Sequence, residues 1–475
     1  MQWIAGAFLA LFVLVLTGLI LVVAFLAFYN IPSNGAGMAA KAVCSAAFVA
    51  GRGTDADQLM EQDVLPASPA FAAVSVSIDA SAHTATGSFL GVVHRTAALL
   101  PERGCVLDAE PDPAAQPYAP TTAGASPWPA GDAPVAPDAW GAGVDAAGLQ
   151  ATVDAAFEGA GDPARANARG VAVVQGGRLL VLREAPGFGS GVALHGWSAA
   201  KTVAAMLADA RFAEVGLDTS TPVVDAFRPG REPEWVAQWR EDDRSRITVA
   251  DLLAMRAGLD IDEGYQPWDP VVQMLNGEAD MSGWAAGHGL QEQPGTSWEY
   301  LSAVSNILAA VVRGQFATDQ EYWAYPRRAL LGPIGARSAT LETDTSGTWV
   351  GSSYLWASTA DWARLGEVML RDGRWGGAQV LAPGWLERAA ARALPQGEGA
   401  GYGAQTWIPA DPVGGECRTT PGLPQDTLAM EGHWGQIVAM VPSRDAVIVR
   451  LGWTFEGTDQ FDGCRFAADV LASLP

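Results

Sequence analysis

The segment His195–Leu207, HGWSAAKTVAAML, places a serine and a lysine three residues apart, at Ser198 and Lys201. The alanine-rich stretch from Ser198 to Ala213 is predicted to be helical, and residues at this spacing share one helix face. A serine hydroxyl is a weak nucleophile that needs a base within hydrogen-bonding reach. A lysine on the next turn can act as that base if burial lowers its pKa. The pattern therefore predicts a nucleophile and its activating amine.

The S-x-x-K pattern alone is weak, because a capping serine followed by a solvated lysine gives the same letters. The composition favours the catalytic interpretation. Lys41 and Lys201 are the only lysines in the chain, and every other basic residue is an arginine, which cannot act as a base. A single lysine among alanine, valine and methionine is hard to explain as a surface charge.

Two later segments contain residue types that can complete such a site. In Pro294–Val312, PGTSWEYLSAVSNILAAVV, a phenol at Tyr300 next to a cationic lysine can have a lowered pKa and relay a proton, with Ser302 completing the relay. In Glu431–Gly452, EGHWGQIVAMVPSRDAVIVRLG, the backbone N–H of Gln436 can pair with that of Ser198 as an oxyanion hole. His433 can bind substrate or orient the other groups. The alternative interpretations are that Tyr300 is a core residue and that His433 is a structural residue in a turn.

The order S-x-x-K, Y-x-S/N, H/K-x-G resembles the serine β-lactamase and penicillin-binding superfamily. Ile247–Leu259 (ITVADLLAMRAGL) and Gly351–Leu381 resemble segments of its class C β-lactamase-like branch. The combination of GWSAAK, DEGYQPWDPVVQML, PGTSWEYLS and GHWGQ is most similar to the esterase and 6-aminohexanoate-dimer hydrolase group. The resemblance covers roughly Asp145 to Pro475.

The resemblance implies a role for each matching residue. Ser198 forms the acyl-enzyme and Lys201 takes its proton, while Tyr300 protonates the leaving group and then activates water. The amides of Ser198 and Gln436 hold the oxyanion. This chemistry requires no metal and no cofactor.

Two positions depart from the pattern of the enzymes that act on penicillins. Ser302 stands where those enzymes have asparagine. His433 is followed by Trp434 instead of a small hydroxyl residue, and then by Gly435. Both departures weaken the case for β-lactam hydrolysis. Tyr265 and Trp268, in DEGYQPW, are expected to line the substrate cleft, with simple packing as the alternative.

The predicted fold is α/β (α+β) and β-lactamase-like. An antiparallel sheet flanked by helices is expected, because hairpin strands lie at both ends of the domain, together with an all-helical subdomain. The predicted helices are 145–157, 198–213, 247–257, 306–314, 359–371 and 464–474. The predicted strands are a hairpin over 169–184, a pair at 436–441 and 445–453, and strands within 75–90.

Three regions are expected along the chain: an anchor at 1–30, a small N-terminal region with a Pro/Ala-rich connector at 31–140, and the hydrolase domain at 141–475. No charged side chain occurs from Gln2 to Asn30, and the apolar run is long enough to span a bilayer. An uncleaved transmembrane helix is favoured over a signal peptide, although the small residues around Gly35–Ala40 leave cleavage open.

The four cysteines, Cys44, Cys105, Cys417 and Cys464, allow three pairings, of which Cys44–Cys105 and Cys417–Cys464 are the more local. Two disulfides would place the domain outside the cytoplasm, in the bacterial periplasm or at the cell surface. The alternative is four buried thiols in a reducing compartment. Their spacing does not resemble a zinc site.

The net charge of −23 disfavours nucleic acid as a partner. The expected partners are a membrane, through the N-terminal helix, and a small ester, amide or short peptide. The leading prediction is thus a serine hydrolase acting through an acyl-serine. The alternatives are a D-amino-acid peptidase or transpeptidase, a β-lactamase, and a non-catalytic membrane sensor that is acylated but never released. Oligomeric state and substrate identity stay open.

Overall fold

The computed structural model describes residues 2–120, 126–158, 167–189, 191–455 and 461–475. It begins with helix α1 (Gln2–Phe28), in which no part of the window Leu11–Phe28 is buried. Within the described residues, α1 is the one helix that is long and apolar enough to cross a bilayer, judged by length and composition. The predicted N-terminal apolar helix is therefore present.

Residues 31–120, called the N-terminal layer below, form a helix packed on a sheet. Four described strands pair antiparallel in chain order, and α2 lies across them. Gly87 allows the close approach, because a Cβ there would lie 2.1 Å from the carbonyl oxygen of Ala36. The strands predicted within 75–90 are confirmed. The elements of this layer are α2 (Ile31–Cys44), α3 (Ala56–Asp63), β1 (Val74–Asp79), β2 (Thr84–Phe89), β3 (Val93–Leu100) and β4 (Gly104–Leu107).

The rest of the chain has most of its strands near its two ends and most of its helices between them. Its elements are α4 (Ala146–Ala156), β5 (Ala168–Gln175), β6 (Arg178–Glu184), β7 (Leu194–His195), α5 (Ala200–Val215), α6 (Trp235–Trp239), α7 (Val249–Leu253), α8 (Pro270–Gly277), α9 (Met281–Ala286), α10 (Ser302–Arg313), α11 (Asp319–Pro326), β8 (Thr340–Leu341), β9 (Leu355–Ala357), α12 (Thr359–Leu370), β10 (Arg374–Trp375), β11 (Ala378–Gln379), α13 (Trp385–Ala390), β12 (Leu428–Gly432), β13 (Gln436–Val441), β14 (Ala446–Gly452) and α14 (Gly463–Ala472).

Five of these strands form one antiparallel sheet in the order β12-β13-β14-β5-β6. The two ends of the domain meet where β14 pairs with β5, with Ile448 opposite Val173. Helix α12 covers one face, and Gly366 lets it approach so closely that a Cβ would lie 2.6 Å from Val447. The predicted antiparallel sheet flanked by helices is confirmed.

Helices α6 to α11 form the helical part between α5 and β8, and α10 packs on α5, α7 and α9. The helix predicted over 247–257 is shorter than expected. Thr248 and Asp251 form a capping box at its start, but α7 ends at Leu253 because the backbone turns at Met255, with φ at 56°. The helix predicted to begin at Asn306 begins earlier, at Ser302.

The Pro/Ala-rich connector packs on the domain surface where it is described. The Trp128 ring lies under the guanidinium of Arg364 on α12. The same guanidinium donates hydrogen bonds to the carbonyls of Pro129 and Gly131. Residues 121–125 of the connector lie outside the described residues.

The cysteines form two disulfides, and the pairs are the local ones. Cys44–Cys105 joins the end of α2 to β4, and Cys417–Cys464 joins the segment before β12 to α14, with Cα separations of 6.0 and 5.6 Å. The alternative of four thiols is therefore wrong for this structure. Disulfides of this kind are typical of proteins outside the cytoplasm.

The N-terminal layer is docked on the rest of the chain through buried charges. Asp63, at the end of α3, is ion-paired with Arg52 and with Arg169 of β5, and its carbonyl accepts a hydrogen bond from the Trp453 indole. Lys41 of α2 is ion-paired with Glu342, which lies beside β8. The Glu342 carboxylate also accepts a hydrogen bond from the Trp356 indole.

Candidate active site

Ser198 lies on a single tight turn between β7 and α5. The backbone at Trp197 has a φ of 48°, a left-handed conformation that bulky residues rarely adopt. Gly196 is required by packing, because a Cβ there would lie 2.1 Å from the Trp362 ring. The turn is thus held by its neighbours, and it presents the Ser198 side chain directly before the helix.

Lys201, on the first turn of α5, points its amine at Ser198. Its Nζ donates hydrogen bonds to the Ser198 Oγ at 3.0 Å, the Ser302 Oγ at 3.0 Å and the Ser352 carbonyl at 2.9 Å. The residue is only 1% exposed. Burial lowers its pKa from 10.5 to about 8, although the charge of Glu263 acts in the opposite direction. An amine in this position can take a proton from the serine hydroxyl.

Glu263 is a member of the site that the sequence reasoning missed. Its carboxylate accepts hydrogen bonds from the Ser302 backbone N–H at 2.7 Å, the Ser302 hydroxyl at 2.5 Å and the Tyr265 phenol at 3.0 Å. Ser302 therefore bridges Lys201 and Glu263. The DEGY motif contained the signal, since an acidic residue lies two positions before the expected cleft tyrosine.

Tyr300 lies beside the Ser198–Lys201 pair. The Lys201 Nζ is 4.7 Å from the centre of its ring. The expectation of a lowered phenol pKa is wrong. Burial raises the pKa of Tyr300 well above its usual value, and Tyr402 and Tyr265 add to the increase. The phenol therefore stays protonated and can donate a proton.

A second phenol approaches the same serine from the helical part. Tyr265 donates a hydrogen bond to Glu263, and burial raises its pKa above the usual value. Its ring stacks on that of His433, with ring centres 4.8 Å apart. The structure thus brings Tyr265 into the site, as expected.

The turn between β12 and β13 supplies His433 and Trp434. Burial lowers the pKa of His433 to about 4, so its ring is neutral at neutral pH. Trp434 has a φ of 62° and packs against Trp197 and Trp453, with ring centres 5.1 and 4.8 Å away. Together these rings form an aromatic wall beside Ser198.

Two glycines and a glutamine fix the position of this turn. A Cβ on Gly432 would lie 2.0 Å from the Gly196 carbonyl oxygen, and one on Gly435 would lie 2.7 Å from the Arg450 guanidinium. Gln436 pairs with Gly432 in the hairpin, and its side-chain amide bonds to the backbone of His433 and Gly452. The backbone of Gln436 is therefore held next to the turn that carries Ser198.

Trp268 lies elsewhere. Its ring is 44% exposed and contacts Phe25 of α1, with ring centres 5.9 Å apart. It is not among the described residues that line the cavity at Ser198. The structure therefore places it at the end of the apolar helix and not in the cleft.

A cavity of about 400 Å³ extends from Ser198 between the N-terminal layer and the rest of the chain, and is called the α2 cavity below. Trp197, Tyr265, His433 and Trp434 line it near the serine. The volume is within the range of pockets that bind small molecules. Residues 31–89 of the N-terminal layer contribute much of the remaining wall, which the sequence motifs did not reveal.

The model of the Beta-lactamase family matches residues 153–472, about two thirds of the chain. The chain belongs to the Beta-lactamase family. This family membership, with hydrolases among the similar proteins, supports a hydrolase.

Individual similar proteins share the fold at low sequence identity. The 6-aminohexanoate-dimer hydrolase of Paenarthrobacter ureafaciens is 25% identical over an alignment of 246 residues, which covers 46% of this chain and 58% of that protein. A penicillin-binding protein homologue from Caulobacter crescentus is 17% identical, with a TM-score of 0.51 over 69% of this chain and 97% of the other. EstCE1, a hydrolase with promiscuous acyltransferase activity, is 16% identical, with a TM-score of 0.50 over 69% and 97%.

Proposed function

We propose that this protein is a serine hydrolase that cleaves an ester or amide through an acyl-Ser198 intermediate. One observation carries the proposal: the amine of Lys201 is buried, has a pKa of about 8, and lies 3.0 Å from the Ser198 hydroxyl. A structural lysine has no need of such a position, since burying a charge is costly unless it is paired. The likeness to a 6-aminohexanoate-dimer hydrolase supports an amide or ester as the bond cleaved.

The proposed reaction proceeds in two steps. In the first, the Ser198 Oγ attacks the carbonyl carbon while its proton passes to the Lys201 Nζ. The amides of Ser198 and Gln436 stabilise the oxyanion. The bond to the leaving group then breaks, and the leaving oxygen or nitrogen takes a proton from the Tyr300 phenol, which is replenished from Lys201. In the second step, water attacks the acyl carbon, releases the acid and returns the proton to Ser198.

The location of the protein is also proposed. The exposed apolar helix α1 would anchor the chain in a membrane, and the two disulfides favour an oxidising compartment for the residues after it. Membrane fractionation of cells expressing the full chain tests the anchor. Recovery of the mature protein in the soluble fraction, beginning after Phe28, would contradict it.

The activity is tested with the full chain in detergent on p-nitrophenyl esters, linear amide dimers, D-Ala-D-Ala peptides and nitrocefin. Ser198→Ala and Lys201→Ala are expected to lower kcat by at least about a thousandfold on the substrate that is turned over. Ser443→Ala is the matched control, because it lies beyond the far end of β13 from Gln436.

A fluorophosphonate probe followed by mass spectrometry identifies the nucleophile. The adduct is expected on Ser198 and absent in Ser198→Ala. Turnover that persists in Ser198→Ala would contradict the mechanism. A stable adduct with no turnover of any substrate would instead favour the non-catalytic acylatable sensor.

A further inference from the structure

The α2 cavity runs along one face of α2. Its lining includes Ile31, Gly35, Met38, Ala42 and Ser45, which recur every three or four residues. At 1.5 Å per residue this stripe is about 21 Å long. The cavity is therefore elongated, and it has the shape of a channel for a chain and not of a compact pocket.

The charged groups in the cavity wall are already paired within the protein. Lys41 is ion-paired with Glu342 and hydrogen-bonds to Ser45, and Asp63 is ion-paired with two arginines. His195 is bound to the Ser353 carbonyl at 2.9 Å. Since these groups have protein partners, they offer little to a polar ligand.

The remaining wall is mostly apolar or aromatic. The lining residues of this kind include Met38, Phe71, Val74, Phe89, Val272, Leu275, Tyr354 and Trp356. A hydrocarbon chain is favoured in such surroundings because burial removes its apolar surface from water. The interior therefore matches an alkyl chain.

The lining of the α2 cavity includes residues from two regions. Ser198 and the aromatic wall beside it belong to one region. The other region is next to α1: Ile31 follows the end of α1 by three residues, and Gln266 and Pro267 precede Trp268, which contacts Phe25 of α1. The α2 cavity thus reaches the place where an anchored α1 would leave the bilayer.

The arrangement also separates the acyl side of a substrate from its leaving group. Tyr300, which is proposed to protonate the leaving group, is not among the described residues that line the cavity, whereas Ser198 is. An acyl chain can therefore lie in the cavity while the alcohol or amine departs on the Tyr300 side.

From these observations we infer that the substrate is a lipid-like ester or amide, whose long acyl chain enters the α2 cavity from the bilayer. This inference rests on the proposed function. Hydrolysis breaks the bond between the acyl carbon and the alcohol or amine, and water supplies the hydroxyl of the fatty acid and the proton of the leaving group. No further co-reactant is needed.

The first experiment measures chain-length selectivity with the full chain in detergent. The ratio of kcat/KM for p-nitrophenyl decanoate to that for the acetate is expected to be at least about tenfold. Ala42→Phe, which fills the cavity, is expected to lower this ratio by about tenfold. Phe71→Ala, which enlarges it, is expected to move the preference to longer chains. Ala237→Phe, on an exposed face of α6, is the matched control and should leave the ratio unchanged.

The outcomes separate the inference from the proposed function. Hydrolysis of short esters with a ratio that responds to neither cavity variant would overturn the inference and leave the serine hydrolase intact. An absence of hydrolysis for every ester, together with no probe adduct on Ser198, would overturn the proposed function itself. Opposite shifts in Ala42→Phe and Phe71→Ala would support the inference even if one variant folds poorly.

A second experiment tests where the chain comes from. The full chain is placed in lipid vesicles, and 4-methylumbelliferyl palmitate is dissolved either in the same vesicles or in separate protein-free vesicles. Turnover at least about tenfold faster in the first case would support supply from the bilayer. Equal rates would overturn the membrane source and leave an acyl chain taken up from solution.

Discussion

The Lys201 amine is almost fully removed from water and retains three hydrogen-bond partners, all of them neutral oxygens. Loss of hydration lowers the pKa of this lysine to about 8, so that about one tenth of it is neutral at pH 7. The negative charge of Glu263, which accepts a hydrogen bond from Ser302, raises the pKa of Lys201 and so opposes the effect of burial. The pKa of the proposed base is therefore set by two opposing effects, burial and a nearby negative charge.

A pH dependence follows from the neutral form of Lys201. Since the base must be unprotonated, kcat/KM is expected to rise with pH and to level off above about pH 8. His433 should not contribute an inflection between pH 6 and 7, because its pKa is lowered to about 4. Initial rates on a stable short ester between pH 5.5 and 9.5 measure the profile, and a rate that falls across this range would contradict the assignment.

Replacing the opposing charge should move that profile. Glu263 raises the pKa of Lys201, so Glu263→Gln is expected to shift the rising limb to lower pH by roughly one unit. Glu299→Gln removes a neighbouring carboxylate that does not contact Ser302 and serves as the control. An unmoved limb with a lower kcat would mean that Glu263 only positions Ser302.

At the scale of elements, the turn that carries Ser198 and the turn between β12 and β13 are in close contact, although they are far apart in the sequence. The hairpin end at Gly432 approaches the turn that carries Ser198 so closely that Gly432 accepts no larger residue, and Gly196 in that turn is restricted by the Trp362 ring. The conformations at Trp197 and Trp434 have positive φ and are held by surrounding aromatic rings. Strain of this kind persists only where packing enforces it.

Separating these turns should impair catalysis more than folding. Gly432→Ala places a methyl group against the Gly196 carbonyl and is expected to lower kcat at least about a hundredfold, because the proposed oxyanion donors move apart. Gly289→Ala, where a Cβ meets nothing within 4 Å, should behave like the unaltered protein. Enzyme kinetics and thermal unfolding of both variants decide the matter, and near-normal kcat in Gly432→Ala would exclude this arrangement of donors.

At the scale of the whole molecule, the N-terminal layer completes the site region. Residues from α2, α3 and β1 form a wall of the cavity, and Asp63 fastens the layer to β5 through Arg169. Burial alone would raise the pKa of Asp63, but the charges of Arg52 and Arg169 outweigh it and lower the pKa below the usual value. Its stabilising effect is therefore present near neutral pH and is lost as the pH falls below the ordinary carboxyl range.

Removing this charge should loosen the layer. Asp63→Asn leaves two buried guanidinium groups uncompensated and is expected to lower the free energy of unfolding by roughly 3–5 kcal/mol. Asp57→Asn, on an exposed position of the same helix, is the matched control. Urea unfolding of the full chain at neutral pH measures both, and equal stability of the two variants would show that the ion pairs do not hold the layer.

The sequence by itself determined the S-x-x-K segment, the order of the motifs and the antiparallel sheet. These features depend on spacing within one helix or hairpin, where geometry is nearly fixed by residue number. Ser198, in the turn directly before α5, and Lys201, on the first turn of α5, are examples, since a separation of three residues leaves little choice of relative position. The long apolar stretch at the N-terminus is equally a local property.

Only the tertiary structure decided which distant groups meet. Glu263 reaches Ser302 across 39 residues, and α2 forms a cavity wall for a serine more than 150 positions later in the chain. The raised pKa of Tyr300 likewise depends on burial beside Tyr402, and the placement of Trp268 on its contact with α1. Such contacts follow from the packing of whole layers, which residue spacing does not encode.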